Sequence, residues 1–250
     1  MGAEYCRYHV LRGRLLLAPA SLVLLASACG GNGDAREEPG RVASPPLDAA
    51  RFSAKVDHPL VPLASVRLKT FEGNERDTET GKQVKTRIES QVLERTGHVA
   101  GVPVAVVEVK EYEDGEFVER TFDYYARRED GSVWYLGERV DNYEDGKVES
   151  HEGQWLAGEG DARPGLFMPA RPKVGQTFEQ ERAPGVAEDR STVVAVDVDV
   201  TTPAGTFRNC IKTRDVAPTS DVIEFKHYCP GVGLVREKFP GGRVELVRYR

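Results

Sequence analysis

Val102-Pro103-Val104-Ala105-Val106-Val107-Glu108-Val109 decides the fold of this chain. It is dense in β-branched side chains, which are stiff at χ1 and pack well on a pleated surface. Outward from it the same idiom continues. Lys82–Arg95 carries Val84, Ile88 and Val92 at even spacing, Phe117–Ala126 mixes aromatics with Thr, and Ser132–Val140 and Ser191–Thr201 follow suit. The period is two, as strands require. Asp114-Gly115, Asp130-Gly131, Asp145-Gly146 and Gly241-Gly242 are hairpin dipeptides, because Asp and Gly tolerate the positive φ of tight primed turns. Tyr112-Glu113-Asp114-Gly115 recurs as Tyr143-Glu144-Asp145-Gly146, which reads as two equivalent hairpin turns. No amphipathic helix is legible beyond residue 62, and Leu47–Ser53 gives a turn or two at most. The expected fold is all-β, an antiparallel meander of about ten to twelve strands forming a curled sheet, half-barrel or sandwich.

The N-terminus has a different character. Arg7, Arg12 and Arg14 precede the apolar run Leu15–Ala28, which ends on Cys29 and Gly30-Gly31-Asn32-Gly33. A basic start, a short apolar segment and small residues before a cleavage point make a secretory signal peptide. The run is too short for a membrane-spanning helix, which needs about 20 apolar residues. Cleavage after Ala28 by the small-x-small rule of Ala26-Ser27-Ala28 would give an ordinary exported protein. Ending on Cys29, however, the segment resembles the lipobox of bacterial lipoproteins, with Ala26 where Leu is usual. That resemblance implies a diacylglycerol on the Cys29 sulfur and a lipid-anchored domain in the periplasm or outside the cell. Gly30, not Asp, follows the Cys, which in a Gram-negative host implies the outer membrane. The expected organisation is a signal peptide over 1–28, an acylated Cys and flexible tether over 29–61, and one β-domain over 62–250.

Composition fits that reading. The tether is rich in Gly, Pro, Ala, Ser and acids, and cannot bury enough surface to offset its ordering entropy. The whole chain carries a net charge of −6. Removing residues 1–28, with three Arg and one Glu, leaves 31 basic and 39 acidic residues, a net charge of −8. Such a domain does not bind nucleic acid, which demands a basic face. Nor does it dock electrostatically on anionic lipid, so the N-terminal lipid is the expected membrane contact.

Several segments are similar to an uncharacterised group of bacterial secreted and lipoprotein β-domains. They include Thr121–Ala126, Gly131–Glu138, Pro164–Ala170, Pro203-Ala204-Gly205-Thr206-Phe207 and Pro230-Gly231-Val232-Gly233-Leu234-Val235. The resemblance covers most of residues 62–250 and implies an exported all-β domain. It implies no activity, cofactor or catalytic residue.

Two cysteines remain in the body of the chain. Phe207–Arg214 and Val222–Cys229 read as consecutive strands, which places Cys210 and Cys229 opposite each other within disulfide reach, in an oxidising compartment. The alternative is a metal site of His227, Cys229 and Cys210, short of the four ligands zinc prefers. Cys6 leaves with the signal peptide. His58, His98 and His151 read as surface residues without metal spacing, and Asp141–Asp145 lacks the twelve-residue calcium loop. No nucleophile elbow, P-loop or dinucleotide fingerprint is present, and no cofactor is expected. Glu111, Glu113, Asp114, Glu116, Asp141, Glu144 and Asp145 read as solubilising charge on strands and turns, although an acid pair can hide among them.

The aromatics from Tyr124 to Phe178 read mainly as core. Leu166, Phe167 and Met168, between Pro164 and Pro169, read as a stretch without regular structure. With Trp134 and Trp155 they either plug the open side of the sheet or line a groove for an apolar ligand. Three functions follow: a non-enzymatic envelope domain holding an apolar small molecule, a structural module that packs on another envelope protein, and a hydrolase using carboxylates.

Overall fold

The structure, a computed structural model, describes residues 48–76, 80–218 and 222–250. Among the described residues a single 3-10 turn, Ala49–Arg51, is capped by the Asp48 carboxylate, which accepts from the Ala50 amide at 3.2 Å. Fifteen strands follow: β1 (Phe52–Ser53), β2 (Leu68–Arg76), β3 (Gln83–Val99), β4 (Val102–Glu113), β5 (Glu116–Arg128), β6 (Val133–Glu144), β7 (Lys147–Ser150), β8 (Trp155–Leu156), β9 (Gly165–Met168), β10 (Thr177–Glu179), β11 (Arg190–Thr202), β12 (Gly205–Val216), β13 (Ile223–Cys229), β14 (Gly233–Phe239) and β15 (Gly242–Tyr249).

Every pairing between these strands is antiparallel. The sheet runs β10-β11-β12-β13-β14-β15-β2-β3-β4-β5-β6-β7, two meanders joined where β15 pairs with β2, and the path is not closed. The strands expected from the sequence are all present within a few residues. The two Tyr-Glu-Asp-Gly turns are equivalent: Asp114 and Gly115 have φ of 49° and 92°, and Asp145 and Gly146 have 50° and 72°. Positive φ at both central positions is the mark of a type I′ hairpin.

Two expectations are corrected by packing. Residues 48–61, read from the sequence as part of the tether, pack against the sheet. Phe52, Val56, Leu60 and Val61 are buried, and β1 pairs with the end of β5. The segment from 54 to 66 lies across the sheet as a strap, held where the Gly231 amide donates to the Pro59 carbonyl at 2.8 Å. His58 is buried there, not on the surface, and its Nδ1 accepts from the Leu60 amide at 3.1 Å.

Gly165–Met168 is likewise a strand, β9, paired with β6 through Val133↔Met168, Trp134↔Leu166 and Tyr135↔Gly165. The flanking prolines sit outside its ends, where a missing N–H costs the ladder nothing. A Cβ on Gly165 would stand 1.8 Å from the Gln180 carbonyl oxygen, so only Gly allows the chain after β10 to pass. That approach, with the Arg163 amide donating to the Arg182 carbonyl at 2.9 Å, brings the two ends of the sheet together.

Candidate functional site

Strand alternation sends a polar strip into the concave face. Asp123 on β5 stands opposite Glu138 on β6 and Val107 on β4. Lys226 on β13 stands opposite Thr213 on β12 and Glu237 on β14, and Lys69 on β2 opposite Ser90 on β3. These strands and the strap line a half-open cavity of about 100 Å³. Leu60, Val61, Leu63, Phe71, Phe167 and Leu234 form its apolar wall. Asp123, Tyr125, Lys226, Tyr228 and Glu237 form a buried polar floor, while Lys69, Ser90 and Phe167 are half-exposed at the mouth.

Among the described residues, eight carboxylic side chains are buried (Glu75, Glu111, Asp123, Glu138, Glu181, Asp189, Asp215, Glu237) against one lysine, Lys226. An ionised carboxylate is costly in such surroundings unless paired, and otherwise keeps its proton. Lys226 Nζ lies 3.4 Å from Asp215 Oδ2, 3.4 Å from Glu224 Oε2 and 3.8 Å from Glu237 Oε1. Burial opposes its charge, but those three carboxylates hold its pKa well above the ordinary lysine value.

Asp123 accepts from the Thr121 hydroxyl at 2.7 Å and the Tyr125 hydroxyl at 3.5 Å. Burial outweighs these donors and pushes its pKa up to about 7. Burial, then the charge of Asp123, raises Glu138 well above the usual range, and burial with Asp189 does the same for Glu181. Asp189 and Glu119 also rise to about 7, chiefly by burial. The interior therefore holds protonated acids at neutral pH, able to donate hydrogen bonds as well as accept them.

Lys69 is the odd member. Its Nζ lies 2.9 Å from where a Cβ on Gly233 would sit, and among the described residues it has no ion pair or hydrogen bond. Burial alone lowers its pKa to about 7.

The residues singled out in the sequence are placed as follows. Cys29 lies outside the described residues. Cys210 and Cys229 form a disulfide, with Cα atoms 4.1 Å apart, in a hairpin whose next pair is Ile211↔Tyr228. The bridge consumes both thiols, which removes the alternative metal site. His227 is held neutral, its pKa lowered to about 4 by burial and then by Arg236, Lys212 and Lys238. No group of three or more His, Cys, Asp or Glu among the described residues is arranged to hold a metal ion.

Trp134, Trp155, Leu166 and Met168 are buried in the core. The Trp134 indole donates to the Ser132 hydroxyl at 2.8 Å, and Trp155 meets Tyr135 edge-on at 5.5 Å. Phe167 instead faces the cavity, 4.9 Å from the Tyr125 ring and 6.2 Å from that of Tyr228. Of the seven carboxylates noted in the sequence only Glu111 is buried. Asp141 is engaged by Arg120 at 3.2 Å and by His151 at 3.1 Å, so it offers no free calcium ligand.

Sequence reasoning missed Lys69, Asp123, Glu138, Lys226 and Glu237, because polar positions in an alternating strand default to the solvent face. Glu224-Phe225-Lys226-His227-Tyr228 held the usable signal: Glu, Lys and Tyr at every second position, ahead of a cysteine whose bridge fixes the strand's place.

Neither a protein-family model nor a curated protein sequence matches the chain. Among solved structures, a crystal structure described as that of a "putative lipoprotein" from Parabacteroides distasonis is similar, at 14% identity and a TM-score of 0.38, covering 76% of this chain and 97% of that one.

Proposed function

We propose that this chain is a lipid-anchored protein of the bacterial cell envelope whose β-domain holds a small, apolar-bodied molecule in the cavity of its concave face. The anchoring rests on Cys29 and the apolar run before it. The binding rests on one observation: the cavity joins an apolar wall, with the aromatic Phe167 at its mouth, to a floor of ionisable groups. Convergent polar groups in an apolar recess are the usual make-up of a small-molecule site. Native mass spectrometry of protein purified without detergent tests it. A reproducible adduct released on unfolding is the expected result. Protein that carries none, and acquires none from an extract of its host, would favour packing against another envelope protein instead.

A second reading, a hydrolase, is favoured by Asp123 alone: it lines the cavity with a pKa near the operating range of a general acid. Turnover of an ester or glycoside panel that disappears in Asp123→Asn would support it.

A further inference from the structure

The ionic groups lining the cavity are unequally matched. Glu237 and Lys226 lie 3.8 Å apart, and Lys226 is further held by Asp215 and Glu224. Asp123 accepts from two hydroxyls and stands close to neutral. Lys69 has no counter-charge among the described residues, although it sits at the mouth against the strap with apolar side chains beneath it. A half-buried ammonium without a counter-charge is satisfied best by a carboxylate, through a charge-assisted hydrogen bond.

Resting on the binding role proposed above, we infer that the ligand is a short-chain monocarboxylic acid whose carboxylate pairs with Lys69 and whose hydrocarbon body lies against Leu63, Phe71, Phe167 and Leu234. The acids of the floor repel it little, since Glu237 is matched by Lys226 and Asp123, with a pKa of about 7, is only partly ionised at neutral pH. Size sets the chain length. The cavity of about 100 Å³ is two-thirds of the ~150 Å³ that accommodates benzene, so a body of about four or five carbons fills it.

The test uses the full chain in phospholipid nanodiscs, titrated calorimetrically with pentanoate, 1-pentanol and pentylamine against empty nanodiscs. Pentanoate should bind about tenfold more tightly than 1-pentanol. Lys69→Met, which keeps the stem and removes the charge, should erase that preference while leaving 1-pentanol binding in place, and Lys69→Arg should retain it. Retained 1-pentanol binding also certifies that the variant is folded. A preference for pentylamine, equal binding of pentanoate and 1-pentanol, or pentanoate binding unchanged in Lys69→Met would overturn the assignment while sparing the cavity as a site. Failure of all three probes to bind the wild type would overturn the assignment together with the binding role.

Discussion

Replacing Lys226 with Met should be among the most damaging single changes in the domain. Met keeps the hydrocarbon stem and removes only the charge that three carboxylates share. At an effective dielectric constant of 20, the contacts at 3.4, 3.4 and 3.8 Å amount to about 5, 5 and 4 kcal/mol of gross attraction. Much of that offsets the desolvation of four ionisable groups, so the net worth of the cluster is small. Removing one partner is different, because it strands charge in the interior, and such changes cost about 3–5 kcal/mol. A domain of this size has roughly 5–15 kcal/mol to lose, and the melting temperature should drop by about 10 °C. The penalty should also depend on pH, since the stranded carboxyls take up protons in acid. Urea unfolding of Lys226→Met and wild type at pH 5 and pH 7.5 measures both effects. Adding Glu237→Gln to Lys226→Met should recover part of the loss, because it removes one stranded charge. A loss below about 1 kcal/mol, or one identical at the two pH values, would refute the idea that Lys226 neutralises the acidic interior.

The wild type should itself be more stable at pH 5 than at pH 7.5. Asp123 and Asp189 titrate near 3.8 and Glu119 near 4.5 when unfolded, but hold their protons to about 7 in the fold. The folded state therefore binds more protons across that window, and stability is lost as pH rises through it. His58, His227 and Lys69, whose pKa values are lowered, act in the opposite direction, but are outnumbered once Glu138 and Glu181 are added. Urea midpoints that rise from pH 5 to pH 7.5 would contradict this. The thiols of Cys210 and Cys229 should resist alkylation until reductant is added. Cys210→Ser and the double Cys→Ser variant should each lose about 3 kcal/mol in thermal or urea unfolding, since both open the same loop. Cys29→Ser should abolish incorporation of radiolabelled fatty acid, and a wild type that takes up no label would remove the lipid anchor.

The all-β meander was legible because Val102–Val109 and its neighbours obey period two and the turns carry Asp-Gly. The Cys210–Cys229 bridge was legible because one hairpin contains both cysteines. What escaped depends on long-range packing. The strap from 54 to 66 carries no clear strand or helix signal in its sequence, and Val56, Leu60 and Val61 reach the core individually. The join of β15 to β2 links residues at opposite ends of the domain, such as Leu246↔Phe71, and no local signal announces it. β9 is only four residues long, with proline on either side. The polar strip escaped because alternation tells which residues share a face but not which face turns inward, and charged side chains default to water. Glu111 shows the same default: it reads as a solvent charge and is buried.

A crystal structure of protein prepared without detergent and soaked in pentanoate tests the central claim most directly. The account predicts continuous non-protein density between Lys69 Nζ and the rings of Phe71 and Phe167, with the strap in place over it. A cavity holding only ordered water among Asp123, Lys226 and Glu237, or one closed by Phe167 and Leu63, would contradict it.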